Sequence, residues 1–100
     1  MGIVTVRYTV KPGQEEHNEE LVRDVYAELS ELDPGDFRYA TFRLDAGRTF
    51  VHFAVTEGDD PAPLPGLAAF KEFQRELADR CEEAPVVSRS EVVGAYRLFD

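Results

Sequence analysis

The sequence predicts an α+β fold whose elements run β-α-β-β-α-β. Three observations lead there. Segments 3–10, 37–57 and 86–99 alternate polar and apolar residues or are dense in β-branched and aromatic ones. Segments 12–32 and 66–82 instead place apolar residues three and four apart, the spacing of one helix face. Between them fall Lys11-Pro12-Gly13, Asp33-Pro34-Gly35-Asp36 and a proline-rich run at 58–66, all breakers of regular structure.

In the first strand, Val4, Val6, Tyr8 and Val10 share one face, and Ile3, Thr5, Arg7 and Thr9 the other. Pro12 suits a first helical turn, where its missing N–H costs nothing. The helix runs to about residue 32 on a stripe of Leu21, Val22, Val25, Leu29 and Leu32. Glu15, Glu16, Glu19 and Glu20 crowd its start, where the helix dipole favours anions. Asp33-Pro34 ends it, because a residue before proline is pushed out of the α region.

Segment 37–57 reads as a hairpin turning at Asp45-Ala46-Gly47-Arg48. Turn chemistry alone allows several loop lengths. Only an even-length loop puts Ala40, Phe42 and Leu44 on one face with Val51, Phe53 and Val55, so that register is expected. Phe37, Tyr39, Thr41 and Arg43 then share the opposite face with Phe50, His52, Ala54 and Thr56. A second helix over about 66–82 buries Leu67, Phe70, Phe73, Leu77 and Cys81, with Glu76 and Arg80 paired outside, until Ala84-Pro85 breaks it. The last strand, 86–99 with a bend near 88–90, alternates Val92, Gly94, Tyr96 and Leu98 with Glu91, Val93, Ala95 and Arg97.

This order is the ferredoxin-like split βαβ: a four-stranded antiparallel sheet with two helices on one face. The face of Val4, Val6, Phe42, Leu44, Val51, Phe53, Val92 and Tyr96 is expected under the helices. The other face carries Ile3, Phe37, Tyr39, Phe50, Ala54, Val93 and Ala95, too much apolar surface for water. A homodimer through the uncovered sheet face would bury it. One hundred residues fill a single domain, 1–100, and a shared core would help so short a chain.

Composition excludes several classes of function. A formal net charge of −9 leaves no basic stripe for nucleic acid and disfavours anionic membrane surfaces. One cysteine permits no internal disulfide and no thiolate zinc site. No basic leader or membrane-length apolar run is visible, so a cytoplasmic location is expected. Phosphate loops, nucleophile elbows and flavin or nucleotide signatures are absent, so no cofactor is expected.

Candidate chemistry sits on the mixed hairpin face. His52, beside Thr41, reads either as a base or carbonyl donor or as an interface histidine. Tyr39 and Arg43 share its face, and Arg7 and Arg97 are expected there too, with Glu91 the one acid to pair with them. These arginines read as an inter-subunit ion-pair network or as the site of a ligand's anionic group. Tyr8, Tyr26, Tyr96, Phe70 and Phe73 either line a cleft for a flat aromatic molecule or simply fill the core. Asn18 lies on the inner side of the first helix, at the open end of that cleft.

The stretches Val10-Lys11-Pro12-Gly13-Gln14-Glu15-Glu16, Pro34-Gly35 and Leu67-Ala68-Ala69-Phe70-Lys71-Glu72-Phe73 resemble the antibiotic biosynthesis monooxygenase-like group of dimeric α/β-barrel proteins. The resemblance covers nearly the whole chain. It implies protomers whose sheets pair into a barrel, and activities that include cofactor-independent oxygenation of aromatic polyketides. Haem-degrading relatives resemble one another in a first-strand Asn, a third-strand Trp and a second-helix His. This chain has Thr5 and Arg7 on that strand, no tryptophan and no histidine on the second helix. Two readings therefore stand. One is a cofactor-free monooxygenase or isomerase using His52, Tyr39 and Arg43, with Asn18, Tyr26, Phe70 and Phe73 around a small aromatic ligand. The other is a non-catalytic homodimeric ligand-binding or accessory protein.

Overall fold

In the computed structural model, which describes residues 2–56 and 63–98, strand β1 (Gly2–Val10) is the centre of the architecture. It pairs antiparallel with β3 (Thr49–Thr56) on one side and β4 (Cys81–Arg89) on the other, and β2 (Phe37–Arg43) adds outside β3. The strand order is β2-β3-β1-β4. Helix α1 (Glu15–Leu32) crosses from β1 to β2. Helices α2 (Ala68–Arg75) and α3 (Leu77–Arg80) lead into β4. This is the ferredoxin-like α+β arrangement expected from the sequence.

Both helical layers lie on one face of the sheet. Val22 and Val25 of α1, Phe73 of α2 and Leu77 of α3 cluster with Tyr8, Val10 and Phe50 of the strands. Each large side chain buried there contributes roughly 1.5–3 kcal/mol. The N–H groups of Ala68 and Ala69 at the start of α2 bond the Glu28 carboxylate of α1 at 3.3 and 2.8 Å. That cross-helix cap satisfies orphan donors at the positive end of the helix dipole and fixes α2 over the sheet.

The hairpin register is the one the apolar pattern selects: Ala40 opposes Phe53, Phe42 opposes Val51, and Thr41 opposes His52. The side of the sheet is the reverse of expectation. Val6 opposes His52 and Tyr8 opposes Phe50. Directly opposed residues share a face, so the mixed row of Tyr39, Thr41, Arg43, Phe50 and His52 lies under the helices with Val6 and Tyr8. The wholly apolar row of Ala40, Phe42, Val51 and Phe53 is on the face without helices, where Phe42 is 57% exposed, while Val55 and Ile3 at its other end are buried. Arg7, exposed on that face, is parted from Arg43 and His52.

Other departures concern the C-terminal third. The second helical segment is interrupted at Glu76 and ends at Arg80, and β4 begins at Cys81. Ala84 and Pro85 lie inside this strand, not at a helix end. They sit where the register with β1 shifts between Arg7 and Thr9, a bulge on an edge strand that tolerates a residue without an N–H. Arg80 is buried, not paired with Glu76 on the surface. Residues 91–98 form no strand, and Val93 and Tyr96 are almost fully exposed. By Arg89, paired with Val4, β4 has nearly reached the start of β1, and after Ser90, whose N–H bonds the Ile3 carbonyl at 2.9 Å, no strand pairing continues among the described residues. Leu32 is 56% exposed rather than buried. The proline-rich loop lies in part, and residue 99 wholly, outside the described residues.

Within the hairpin turn, Asp45 and Ala46 take left-handed backbone at φ 54° and 52°, while Gly47 does not. The glycine instead donates its N–H to the Leu44 carbonyl and closes the turn.

Candidate functional site

A cavity of about 500 Å³ opens between the helical layer and the sheet. Val4, Val6, Tyr8, Tyr39, His52 and Ala54 form its strand side, with Pro85 and Val87 of β4; Leu64, Phe70, Phe73, Gln74 and Leu77 form its roof. Among the described residues, no Asp, Glu, Lys or Arg lines it. An apolar chamber of this size with a few convergent polar atoms has the character of a small-molecule site. That lining suits an uncharged ligand, because none of the described wall residues would balance a buried charge.

The polar atoms belong to one hydrogen-bonded chain. His52 Nδ1 lies 2.5 Å from the Tyr39 hydroxyl and 3.2 Å from Thr41 Oγ1. Its Nε2 lies 2.7 Å from the Tyr8 hydroxyl. Asn18 Nδ2 donates to that hydroxyl at 2.9 Å. Arg80 in turn donates to Asn18 Oδ1 through Nε and an Nη, both at 3.3 Å, and to the Phe73 carbonyl at 2.8 Å. On the other side Tyr26 bonds Thr41 Oγ1 at 2.9 Å and stacks on Tyr39. Tyr8, Asn18, His52 and Arg80 are all buried, so these contacts replace water entirely.

Burial sets the protonation states. Desolvation lowers the His52 pKa to about 4, so the imidazole is neutral at pH 7. Desolvation raises both Tyr8 and Tyr39 well above the ordinary phenol value, and both keep their protons. Burial also lowers Arg80, although its accepting partners, the Asn18 amide oxygen and the Phe73 carbonyl, favour the charged guanidinium. The guanidinium lies 5.4 Å from the Phe73 ring centre.

Of the residues named from sequence, the structure brings Tyr39, His52, Phe70 and Phe73 to the cavity wall. Asn18 and Tyr26 stand behind it, Asn18 bonding Tyr8 and Tyr26 stacking on Tyr39. Arg43 is elsewhere. It bonds Glu19 at 2.9 Å and the Gly47 carbonyl at 2.6 Å, over Phe50 and beside a separate, smaller depression of about 230 Å³. Tyr96 and Arg97 are exposed, far from any role in lining the cleft. Arg80 is the residue that sequence reasoning missed. The usable signal was Tyr8: a tyrosine on a covered strand face needs a hydrogen-bond partner, and Asn18 and Arg80 supply that end of the chain. Among the described residues, no group of three His, Cys, Asp or Glu could hold a metal ion.

No protein-family model matches this sequence, and no curated protein sequence does either. Solved structures match it well in three dimensions. A Nitrosomonas europaea protein classed among the antibiotic biosynthesis monooxygenases superposes with a TM-score of 0.75 at 22% identity, over 94% of this chain and 100% of its own. SnoaB, a cofactor-independent oxygenase from Streptomyces nogalater solved as a point mutant, gives 0.70 at 15% identity, with 96% of each chain covered. Rv0793 from Mycobacterium tuberculosis gives 0.73 at 12%, over 94% of this chain and 96% of its own. The chain thus has the ferredoxin-like fold of the antibiotic biosynthesis monooxygenase structures, with a closed polar chain running from Arg80 to Tyr39 at the wall of its cavity.

Proposed function

We propose that this protein is a single-domain, cofactor-independent monooxygenase-like enzyme acting on a small, flat, uncharged aromatic molecule. The observation that carries this reading is the cavity of about 500 Å³, uncharged among the described residues, with Tyr39 and His52 together on its wall. Phe70 and Phe73 offer aromatic faces to a ring system. The fold shared with SnoaB, whose description is that of a cofactor-independent oxygenase, supports the same class.

An anthrone-type substrate illustrates the chemistry. A hydrogen bond from Tyr39 to its carbonyl oxygen stabilises the enolate formed when the ring methylene loses a proton to water at the cavity mouth. The enolate reacts with O₂, one oxygen atom ends in a new carbonyl, and the other leaves as water. The methylene carbon is oxidised by four electrons, which accounts for all four taken up by O₂. No external reductant enters the balance.

The oxygen electrode tests this directly. With anthrone and no added flavin or metal, the protein is expected to consume one O₂ per quinone formed, faster than buffer, and Tyr39→Phe to slow it. Uptake no faster than buffer overturns the enzymatic reading.

One observation favours the alternative of a non-catalytic ligand-binding or accessory protein: both imidazole nitrogens of His52 are engaged by tyrosine hydroxyls, leaving no unoccupied base among the described wall residues. Either way, we propose a homodimer. Ala40, Phe42, Val51 and Phe53 on the uncovered face, and exposed Val92, Val93, Tyr96 and Leu98, supply apolar surface for a second copy. Sedimentation showing a stable monomer at micromolar concentration would remove that part.

A further inference from the structure

The hydrogen-bonded chain has a direction, and we propose that Arg80 and Asn18 set it, so that Tyr39 turns its hydroxyl proton into the cavity and the site selects ligands that enter with an acceptor oxygen. The direction follows from counting protons. A guanidinium only donates, so the Asn18 atom facing Arg80 is the amide oxygen, and the amide nitrogen must face Tyr8. The Tyr8 oxygen therefore accepts from Asn18, and its own proton is free to go to His52 Nε2 at 2.7 Å. Nε2 then accepts, and a neutral imidazole carries its one proton on Nδ1. That proton goes to the Tyr39 oxygen at 2.5 Å.

Tyr39 is thereby an acceptor toward His52, and its own proton must go elsewhere. Thr41 also hydrogen-bonds Tyr39, but its oxygen accepts at most two protons, and those of the Tyr26 hydroxyl and of His52 Nδ1 fill it, which leaves Thr41 to donate its own proton to the Tyr39 oxygen. The remaining direction is the cavity that Tyr39 lines. With the imidazole proton on Nε2 instead, Nε2 would donate to Tyr8, whose oxygen already accepts from Asn18. The Tyr8 proton would then be stranded on a side chain only 1% exposed, with no acceptor among the described residues. A buried, unmade hydrogen bond is costly, whereas a Tyr39 proton facing the cavity can be taken by water or ligand. The charged end of the chain thus biases its far, neutral end.

Arg80, Asn18, Tyr8 and His52 are positioning residues in this scheme; Tyr39 is the group that touches the ligand. A ketone-type carbonyl or an enolate oxygen is the complementary partner. The selection half of the inference rests on the cavity being a ligand site, as proposed above; the direction of the chain does not.

Long-range proton–nitrogen NMR of the ¹⁵N-labelled protein at pH 7 reads the direction, with His17→Gln assigning the second histidine. The expected His52 pattern is pyrrole-type Nδ1 and pyridine-type Nε2; the reverse pattern overturns the inference. Asn18→Asp puts a carboxylate that accepts from both sides in the middle of the chain, and is expected to reverse the pattern. An unreversed pattern in that variant, if it folds, removes Asn18 as the determinant, and the wild-type spectrum decides the direction whether or not it folds. Fluorenone and fluorene, alike in shape but differing in one carbonyl, read the selection by calorimetry. Fluorenone is expected to bind about 5-fold tighter, the worth of one net neutral hydrogen bond, and Tyr39→Phe to erase the preference. Equal binding of the two overturns acceptor selection while sparing the cavity as a ligand site. Binding of neither overturns both the proposed function and the selection.

Discussion

His52 should make this protein acid-sensitive in a way that a single substitution can isolate. Its pKa is near 4 in the folded chain, against about 6.5 for an unperturbed imidazole. Between those values the unfolded chain binds a proton that the folded chain refuses, so stability rises with pH across that window and falls on acidification. Linkage puts the loss at about 2 kcal/mol by pH 5 and about 3 kcal/mol by pH 4, relative to pH 7. The chain's 20 carboxylates also titrate there, so the informative quantity is the difference from His52→Gln, which has no proton to gain. Urea unfolding at pH 7, 6, 5 and 4 measures it. The variant is expected to be less stable at pH 7, having disturbed the bonds to Tyr8 and Tyr39, with the gap narrowing by about 2 kcal/mol by pH 5. A gap independent of pH would refute the burial of a neutral imidazole.

Three further outcomes follow from other parts of the fold. Ala46→Gly relieves a left-handed alanine in the hairpin turn, and is expected to stabilise by about 0.5–1 kcal/mol, read from the urea midpoint. Glu28→Ala removes the carboxylate that caps α2 and should cost about 1 kcal/mol, with Glu28→Gln recovering part of it. Cys81 is buried, and that burial pushes its thiol pKa up, so alkylation in native buffer should be slow and should become fast in urea. Rapid native alkylation would contradict the packing of β4 against the helices.

The fold was legible because periodicity identifies elements without tertiary information. Alternation around Tyr8 and the three-four spacing of Val22, Val25, Phe73 and Leu77 are local, and the structure keeps them all. The hairpin register was legible too, since the apolar row of Ala40, Phe42, Val51 and Phe53 has one self-consistent pairing. Which face the helices cover was not. Hydropathy places the greasier row inside, yet the structure buries Tyr39, His52 and Phe50, because Tyr8, Asn18, Thr41 and Arg80 satisfy the polar atoms among them. Such compensation links residues from five elements and leaves no local trace in the sequence. Arg80 was misread for a related reason. An i,i+4 acid–base pair is a good local explanation for a helical arginine, until the helix breaks at Glu76 and turns the side chain inward. The candidate site was therefore half visible: Tyr39, His52, Phe70 and Phe73 by type and spacing, their supporting chain only in three dimensions.

The central claim is that the cavity beside Tyr39 and His52 binds a flat aromatic carbonyl compound. Ala54 lines that cavity, and Ala54→Phe would fill part of it without removing any polar group. Calorimetric titration of fluorenone into both proteins is the most direct test. The account expects one molecule bound per wild-type chain and none by Ala54→Phe, with the variant still folding cooperatively. Equal binding by the two proteins would place the ligand elsewhere and contradict it.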